Sequence, residues 1–154
     1  MNLVAPAIAA LLGAMPAMHA AAQAKPAPAR PEALVKQRQA AMQLQGTYMS
    51  RLRASLREAT PYDADLVARN ARHLEALATM PWDDFTADTQ GEKSRARAEI
   101  YKEPGKFKAA IQAFEAEVAR LAAAARARDP ARARVAFAAV SKACGACHDD
   151  FRAR

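Results

Sequence analysis

Two cysteines and a histidine stand together near the C-terminal end of the chain, in the sequence Cys144-Gly145-Ala146-Cys147-His148. This C-x-x-C-H spacing is typical of the site where a c-type haem is attached. The two thiols can add across the haem vinyl groups as thioethers, because cysteines three residues apart on a helix lie on one face. The histidine that follows directly is placed to ligate the iron from its proximal side. The motif therefore predicts one covalently bound haem c, carried by Cys144 and Cys147, with His148 as the iron ligand.

A C-x-x-C pair can also form a thioredoxin-like dithiol, half of a zinc site or a structural disulfide. A redox dithiol belongs beside a strand-to-helix turn in a βαβ pattern, and no segment here alternates convincingly with the period of a strand. A tetrahedral zinc ion needs four ligands at characteristic spacing, whereas the whole chain has two cysteines. The residues favour haem attachment over all three alternatives.

The first 24 residues carry no charged side chain and have the shape of a secretory signal peptide. An apolar run over residues 7–12 leads to small residues that end in Ala22-Gln23-Ala24, an A-x-A cleavage pattern. The run is too short to span a bilayer, and the segment before it lacks the usual Lys or Arg. We expect cleavage after Ala24, or else near Ala20 or Ala21, and export to the periplasm, since c-type haem is generally attached outside the cytoplasm.

The chain is basic. It has 23 Lys and Arg residues against 16 Asp and Glu, which gives a formal net charge of +7, all of it carried after residue 24. Such a surface can steer an acidic protein partner, or it can simply keep the protein soluble through self-repulsion. Nucleic acid is a poor fit, because the arginines are interleaved with Ala and Glu and aromatic residues make up only 6% of the chain.

Four segments with the apolar spacing of helices follow an extended Pro/Ala leader at residues 25–31. They cover about residues 32–57, 61–79, 104–127 and 130–154. A polar connection over residues 81–100 carries Trp82 and Phe85, two large aromatics that we expect to pack on the body of the protein. This arrangement predicts an all-α, antiparallel four-helix bundle over residues 32–154, with the haem near the C-terminal helix.

The ends of these helices have recognisable signals. Thr60 or Asp63 can cap the second helix, and Pro81 ends it. Asp129 followed by Pro130 is an N-cap with proline at the first helical position. The apolar stripe of the last helix includes both cysteines, so they lie on its buried face.

Arg38 occupies a core-facing position of the first helix. An isolated buried charge is costly, so the guanidinium needs a partner, and a haem propionate would supply one through paired hydrogen bonds. The alternative is an arginine at the edge of the stripe whose head group reaches water. Given the haem motif, we expect contact with a propionate.

Met42 lies one turn after Arg38, on a helix able to cover the distal face of a haem. Methionine usually fills a core, but its sulfur can also ligate iron, as in Met/His cytochromes c. Packing would leave an open iron site for small gases, whereas ligation would give a closed, six-coordinate electron carrier. His73 stands between charged residues on the second helix, where a surface role is expected. Arg152, four residues after His148, can lie beside that imidazole or serve as a cation at the helix C-terminus.

The chain resembles cytochrome c′, the class II c-type cytochromes of bacterial periplasms, over essentially all of its mature length. The resemblance rests on the segments Cys144-Gly145-Ala146-Cys147-His148-Asp149-Asp150-Phe151-Arg152, Arg38-Gln39-Ala40-Ala41-Met42, Pro61-Tyr62-Asp63-Ala64 and Leu77-Ala78-Thr79-Met80-Pro81-Trp82. A haem motif this close to the C-terminus is specific, because class I cytochromes c carry theirs near the N-terminus. The chain departs from the family at Ile100-Tyr101, where members often have Trp.

The resemblance implies one haem c on Cys144 and Cys147, with His148 as the proximal ligand and Arg152 beside it. It also implies that Arg38 lies near a propionate and that Met42 is the bulky, usually non-ligating distal residue. Iron in such a site is five-coordinate and high-spin, and it binds NO and CO but discriminates against O₂. Family members are usually homodimers formed through the first two helices.

We therefore expect a periplasmic gas-binding cytochrome, an NO scavenger or carrier with a secondary capacity for electron transfer to a redox partner protein. The leading alternative is a low-spin electron carrier with Met42 as sixth ligand, a form known among relatives of the same fold. A third hypothesis is a haem-free thiol oxidoreductase. We do not expect an enzyme in the strict sense, because no general acid or base is placed near the inferred site. We also expect no binding to nucleic acid or membrane.

Overall fold

The computed structural model describes residues 29–59 and 61–154. The predicted signal peptide, most of the leader and Thr60 lie outside the described residues. Five α-helices account for most of the described chain: α1 Pro31–Ser55, α2 Ala64–Ala78, α3 Glu99–Lys102, α4 Pro104–Arg126 and α5 Pro130–Phe151. The described residues form no strand, and their single bridge pairs Ala96 with Arg152. The all-α prediction is confirmed, and no helix among these residues is long and apolar enough to cross a membrane.

Four of the helices make the bundle, and the four-residue α3 is a short addition before α4. The most extensive contact is between α4 and α5, and α2 packs against both α1 and α4 to a smaller and similar extent. Small residues allow the α4–α5 approach: Ala122 and Ala125 of α4 and Ala133 and Ala136 of α5 are all buried. The largest fully buried side chains of the main core are Leu52, Leu74, Leu121, Val67, Val118 and Val140.

The helix ends follow capping chemistry. The Asp63 carboxylate accepts a hydrogen bond from the Leu66 amide at 2.9 Å, so Asp63 is the cap of α2. Asp129 does the same for α5, accepting from the Arg132 amide at 3.0 Å. Between them, α4 ends with Arg128 at φ 56°, and the Asp129 amide bonds back to the Ala124 carbonyl at 3.2 Å. This left-handed turn reverses the chain into α5.

Several helix ends differ from the prediction: α2 begins at Ala64 and not near residue 61, and α5 and α1 both end early. The last helix stops at Phe151 instead of running to residue 154, because the segment after it pairs with residues 95–97. The Ala153 amide bonds to the Arg95 carbonyl at 2.8 Å, and the Arg97 amide bonds to the Phe151 carbonyl at 3.0 Å. The first helix likewise ends at Ser55, two residues before the predicted Arg57.

The connection after α2 packs on the body, as predicted. It contains two short 3₁₀ turns, Trp82–Asp84 and Ala87–Thr89. Trp82 contacts both the main core and a second cluster built on Ile100, Phe107 and Phe151. The Trp82 ring meets those of Phe107 and Phe114 edge-on, at centroid distances of 6.2 and 6.0 Å. These contacts hold the connection against α4 and the end of α5.

Candidate haem site

The last two turns of α5 present both cysteines toward the inside of the bundle. Cys144 packs beside the main core, and Cys147 packs beside the cluster of Ile100, Phe107 and Phe151. Both thiols are free and partly buried. The predicted placement on the inner face of the last helix is therefore confirmed, because residues three apart on α5 share that face.

Two cavities lie between α1 and α5, beside these cysteines. The first has a volume of about 430 Å³ and is walled by Met49, Trp82, Phe114 and Cys144 among others. The second, of about 560 Å³, is walled by Arg38, Phe85, Phe107 and Phe151 among others. The two cavities share four lining residues, namely Met42, Gly46, Cys147 and His148.

The middle of α1 forms the wall opposite α5. The inward stripe of α1 is buried toward both ends, at Val35 and at Leu52, whereas Met42 and Met49 between them are only partly buried. Met42 lines both cavities, whereas Met49 lines the first cavity and also packs against the main core. The two cavities together form one slot between α1 and α5. The slot has apolar walls and a few polar groups, as is typical of a cofactor site.

The residues present fit a covalent haem c. Cys144 and Cys147 stand on the wall of the slot as unpaired thiols, the state that thioether formation requires. His148 follows them and lines both cavities. On the α1 side, Gly46 lines both cavities, and a Cβ added there would meet no other atom of the described chain within 4 Å. A flat group can therefore approach the α1 backbone at this point.

The pKa values of the two thiols and of His148 fit haem attachment better than they fit a redox-active dithiol. Burial raises the pKa of the Cys144 thiol. Burial, then the neighbouring Cys144 and Asp150, raise the pKa of Cys147 to about 11. Redox-active cysteines need a lowered pKa to form thiolates. The pKa of His148 is lowered by burial, then by Arg152 and Arg95, which favours the neutral imidazole that can ligate iron.

Arg38 is 2% exposed, so the alternative in which its head group reaches water is wrong. Its Nη1 donates to the Asp84 carbonyl at 3.1 Å and to Thr89 Oγ1 at 2.9 Å, and its Nη2 donates to Ser94 Oγ at 3.3 Å. The guanidinium also lies 4.2 Å from the centre of the Phe85 ring. The sequence hypotheses did not include these partners in the connection.

Arg38 nevertheless borders the second cavity. A guanidinium carries five N–H donors, and the three hydrogen bonds above leave two of them for a further acceptor. Contact with a propionate stays a prediction that this placement permits.

Met42 and Arg152 lie at the slot, whereas His73 does not. Met42 is on the α1 wall of both cavities, the place that either of its predicted roles requires. Arg152 lines the second cavity with His148, but it stands at the extended end of α5 and not on a further helical turn. His73 is exposed on α2, and its ring lies 5.0 Å from that of Tyr48.

Sequence reasoning missed several residues of the slot. Gly46 carried a signal, because glycine is unfavourable inside a helix. The second cavity also includes Ser94, Arg95 and Ala96 of the connection, whose place depends on the pairing of residues 95–97 with the end of α5. No periodicity in the sequence indicates that pairing.

Comparisons with known proteins agree with this geometry. A family model described as cytochrome C′ matches residues 33–152. Cytochrome c′ of Alcaligenes xylosoxydans xylosoxydans is 38% identical over 124 residues, covering 80% of this chain and 96% of the relative. Cytochrome c′ of Halomonas halodenitrificans is 35% identical over 131 residues, covering 81% and 99%. Cytochrome c-554 of Cereibacter sphaeroides is 30% identical over 125 residues, covering 79% and 81%.

Solved structures are similar as well. The nitric oxide complex of a leucine-to-alanine variant of cytochrome c prime from Alcaligenes xylosoxidans has a TM-score of 0.78 and 37% identity, covering 83% of this chain and 99% of that one. A ferrous arginine-to-glutamate variant of the same cytochrome has a TM-score of 0.78 and 36% identity, covering 82% and 98%.

Proposed function

The chain belongs to the cytochrome c′ family of haem c-type cytochromes, and from this premise we propose that it is a periplasmic gas-binding protein. In this proposal its one haem c has an open, five-coordinate iron that binds NO and CO. The protein then acts as an NO scavenger or carrier, with electron transfer as a secondary capacity, and not as an enzyme. A similar cytochrome has been solved as a nitric oxide complex, which supports the choice of ligand.

One observation carries the proposal: the two thiols and His148 of α5 border a slot whose opposite wall includes Met42 of α1. Cys144 and Cys147 would hold the haem, and the lone pair of the His148 imidazole would ligate its iron. When bound, the group supplies an iron position for a diatomic gas and a one-electron redox change. Met42 would limit the space on the α1 side, and the apolar walls would keep water away.

The arginines at the slot have separate tasks in this proposal. Arg38 would donate its remaining N–H groups to a propionate while the connection holds it in place. Arg152 would lie on the His148 side, where its charge opposes protonation of the imidazole. Among the described residues that line the two cavities there is no carboxylate, whereas Arg53, Arg95 and Arg152 do line them. A cationic rim of this kind suits a redox partner protein with an acidic surface.

A second candidate is a low-spin electron carrier in which Met42 ligates the iron. The observation in its favour is that Met42, with its flexible thioether, lines the same two cavities as His148. We rank it second because Met42 is only one of several α1 residues that line the cavities. No described contact holds its sulfur in a position to ligate the iron. The haem-free thiol oxidoreductase ranks third, because burial raises the pKa of both thiols. Assembly as a homodimer through α1 and α2 is proposed from the family resemblance alone.

The optical spectrum of the purified mature protein tests the proposal, recorded in the ferric and ferrous forms before and after CO and then NO are added. A high-spin spectrum that shifts with both gases is the expected result. A low-spin spectrum with a Met-to-iron charge-transfer band and no response to CO would contradict gas binding and support the electron-carrier function. A Cys144→Ser/Cys147→Ser variant is the control, because it keeps the fold's other residues but has no thiol to hold the haem. A wild-type protein without haem absorbance and with titratable thiols would support the oxidoreductase instead.

A further inference from the structure

The last turn of α5 contains His148, and the end of a helix is where its structure is held least firmly. The last four carbonyl groups of a helix have no partner within the helix, and helix ends fray more readily than interiors. In α5, which ends at Phe151, these are the carbonyls of residues 148–151. The proposed iron ligand therefore lies where the position of the helix depends most on contacts from outside it.

Arg97, in the connection before α3, supplies two of those contacts. Its Nη1 donates to the Asp149 carbonyl at 3.2 Å, and its amide donates to the Phe151 carbonyl at 3.0 Å. The His148 carbonyl accepts a hydrogen bond from the Arg152 amide at 3.1 Å. Three of the four carbonyls of the last turn thus have a partner, and Arg97 is the partner of two of them.

A second pair of hydrogen bonds ties the residues that follow α5 to the same part of the connection. The Ala153 amide donates to the Arg95 carbonyl at 2.8 Å, and Arg95 Nε donates to the Ala153 carbonyl at 2.9 Å. Next to them, Ala96 forms its bridge with Arg152. We call the segment from Arg95 to Arg97 the α5 clamp.

The α5 clamp is itself anchored in the protein. Ala96 packs beside the cluster of Ile100, Phe107 and Phe151. The Ile100 side chain is 5% exposed, and the Ile100 amide bonds back to the Arg97 carbonyl at 3.2 Å. Because buried apolar contacts make local opening costly, the last turn of α5 is fastened to the core and not to a free loop.

We propose that Arg97 and Ala153 are positioning residues for gas binding, because they hold the last turn of α5 and thereby restrain His148. The imidazole of a ligating histidine has to follow the iron toward the macrocycle plane when a gas binds on the opposite side. A turn that is held from outside opposes this movement, so the clamp lowers the affinity for an uncharged diatomic gas. Arg97 and Ala153 border neither cavity, so they act through His148. This inference deepens the proposed function and rests on it.

Ala153→Pro in the full haem-containing protein is the direct test. Proline has no N–H to donate to the Arg95 carbonyl. The extended backbone of Arg152, with φ −122° and ψ 129°, is the conformation that the residue before a proline prefers. We expect the CO affinity of the ferrous protein to rise about threefold, since one hydrogen bond contributes free energy of that order. Ala153→Ser is the matched control, because it keeps the N–H and should bind CO as the wild type does.

Arg97→Met tests the other contact. It removes the hydrogen bond to the Asp149 carbonyl, and we again expect CO affinity to rise about threefold. The substitution also removes a positive charge and an ion pair with Glu99 at 3.1 Å, so it needs two controls. Lys102→Met removes an exposed cation that borders neither cavity, and Glu99→Gln removes the charge of the ion pair but keeps Arg97. Both controls should leave CO affinity unchanged.

Two further measurements follow the last turn of α5 and its histidine directly. Hydrogen exchange of the amides of residues 148–152 should be faster in Ala153→Pro and in Arg97→Met than in the wild type. Exchange in the middle of α4 and α5 should be unchanged. The iron–histidine stretching band of the ferrous protein, measured by resonance Raman spectroscopy, should shift in these two variants and in none of the controls.

A CO affinity equal to that of the wild type in both variants would overturn the inference, even if exchange of the last turn becomes faster. A lower affinity would also overturn it, because the clamp would then seat the haem instead of restraining His148. Unchanged exchange in both variants would show that the clamp does not hold the turn. A wild-type protein that binds no CO would overturn the proposed function, and the inference with it, although the exchange rates would still show whether the clamp holds α5.

Discussion

Arg38 of α1 donates a hydrogen bond to Thr89 Oγ1 at 2.9 Å, across 51 residues of sequence. Thr89 is 1% exposed, and its hydroxyl also donates to the Thr86 carbonyl at 2.7 Å. A hydroxyl has one proton and two lone pairs. The contact with the Tyr101 hydroxyl at 3.0 Å must therefore be donated by Tyr101. With these three hydrogen bonds the one proton and both lone pairs of the Thr89 hydroxyl all have partners. The hydroxyl thereby joins α1, the connection and α3.

Thr89→Val should destabilise the protein more than Thr89→Ser. Valine has nearly the shape of threonine but leaves Arg38 and Tyr101 without their common acceptor, and an unsatisfied buried group costs about 1–3 kcal/mol. Serine keeps the hydroxyl and loses only a methyl group. Denaturant unfolding of the haem-containing proteins measures the difference. Equal midpoints for the two variants would contradict the argument.

Arg38→Met should lower the midpoint reduction potential of the haem. A nearby positive charge favours the ferrous state, so its removal shifts the potential downward by an amount on the order of tens of millivolts. Arg51→Met is the control on the same helix, because Arg51 is exposed, lies against Tyr48 and borders neither cavity. Spectroelectrochemical titration compares the two. If both variants have the same potential, Arg38 serves the connection and not a propionate.

Trp82 should report whether the haem is in the slot. It is the chain's only tryptophan, and it lines the first cavity beside Cys144. A haem held there accepts excitation energy from the indole, so the emission of the mature protein should be almost fully quenched. The Cys144→Ser/Cys147→Ser variant should fluoresce brightly. Bright emission from a protein with one haem per chain would place the haem away from Trp82.

Met42→Leu should leave the spin state of the iron unchanged. Exchange of methionine for leucine conserves volume and typically costs less than about 1.5 kcal/mol. Met49→Leu is the matched control. Met49 lies about two helical turns after Met42 on α1, and it borders only the first cavity. Absorption and electron paramagnetic resonance spectra of both variants give the answer. A low-spin wild type that becomes high-spin only on Met42→Leu would establish the sulfur as an iron ligand.

The fold was predictable because local signals agree with one another along the chain. Apolar residues recur at helical spacing in each long segment, Asp63 and Asp129 supply caps, and Pro81 ends a helix. The cysteine pair with its histidine was predictable for a different reason, since the covalent chemistry demands those residue types at that spacing. The predicted end of the last helix was wrong because a non-local contact with the connection ends it at residue 151.

The partners of Arg38 show why the rest was not predictable. Helical periodicity places Arg38 on the inner face of α1, but it does not say that Asp84, Thr89 and Ser94 accept its hydrogen bonds. Those acceptors lie in an irregular segment whose path depends on where α3 and α5 already stand. The same holds for the pairing of residues 95–97 with the end of α5.

The sequence by itself determined the helices, the haem-attachment motif and the face of the bundle on which both cysteines lie, because these depend on spacing along a single segment. Only the tertiary structure decided that Met42, Gly46, Cys147 and His148 meet around one slot. It also decided that the connection between α2 and α3 holds Arg38 at the edge of that slot. Both depend on how separate segments pack in space, and contacts between distant residues leave no periodic trace in the sequence.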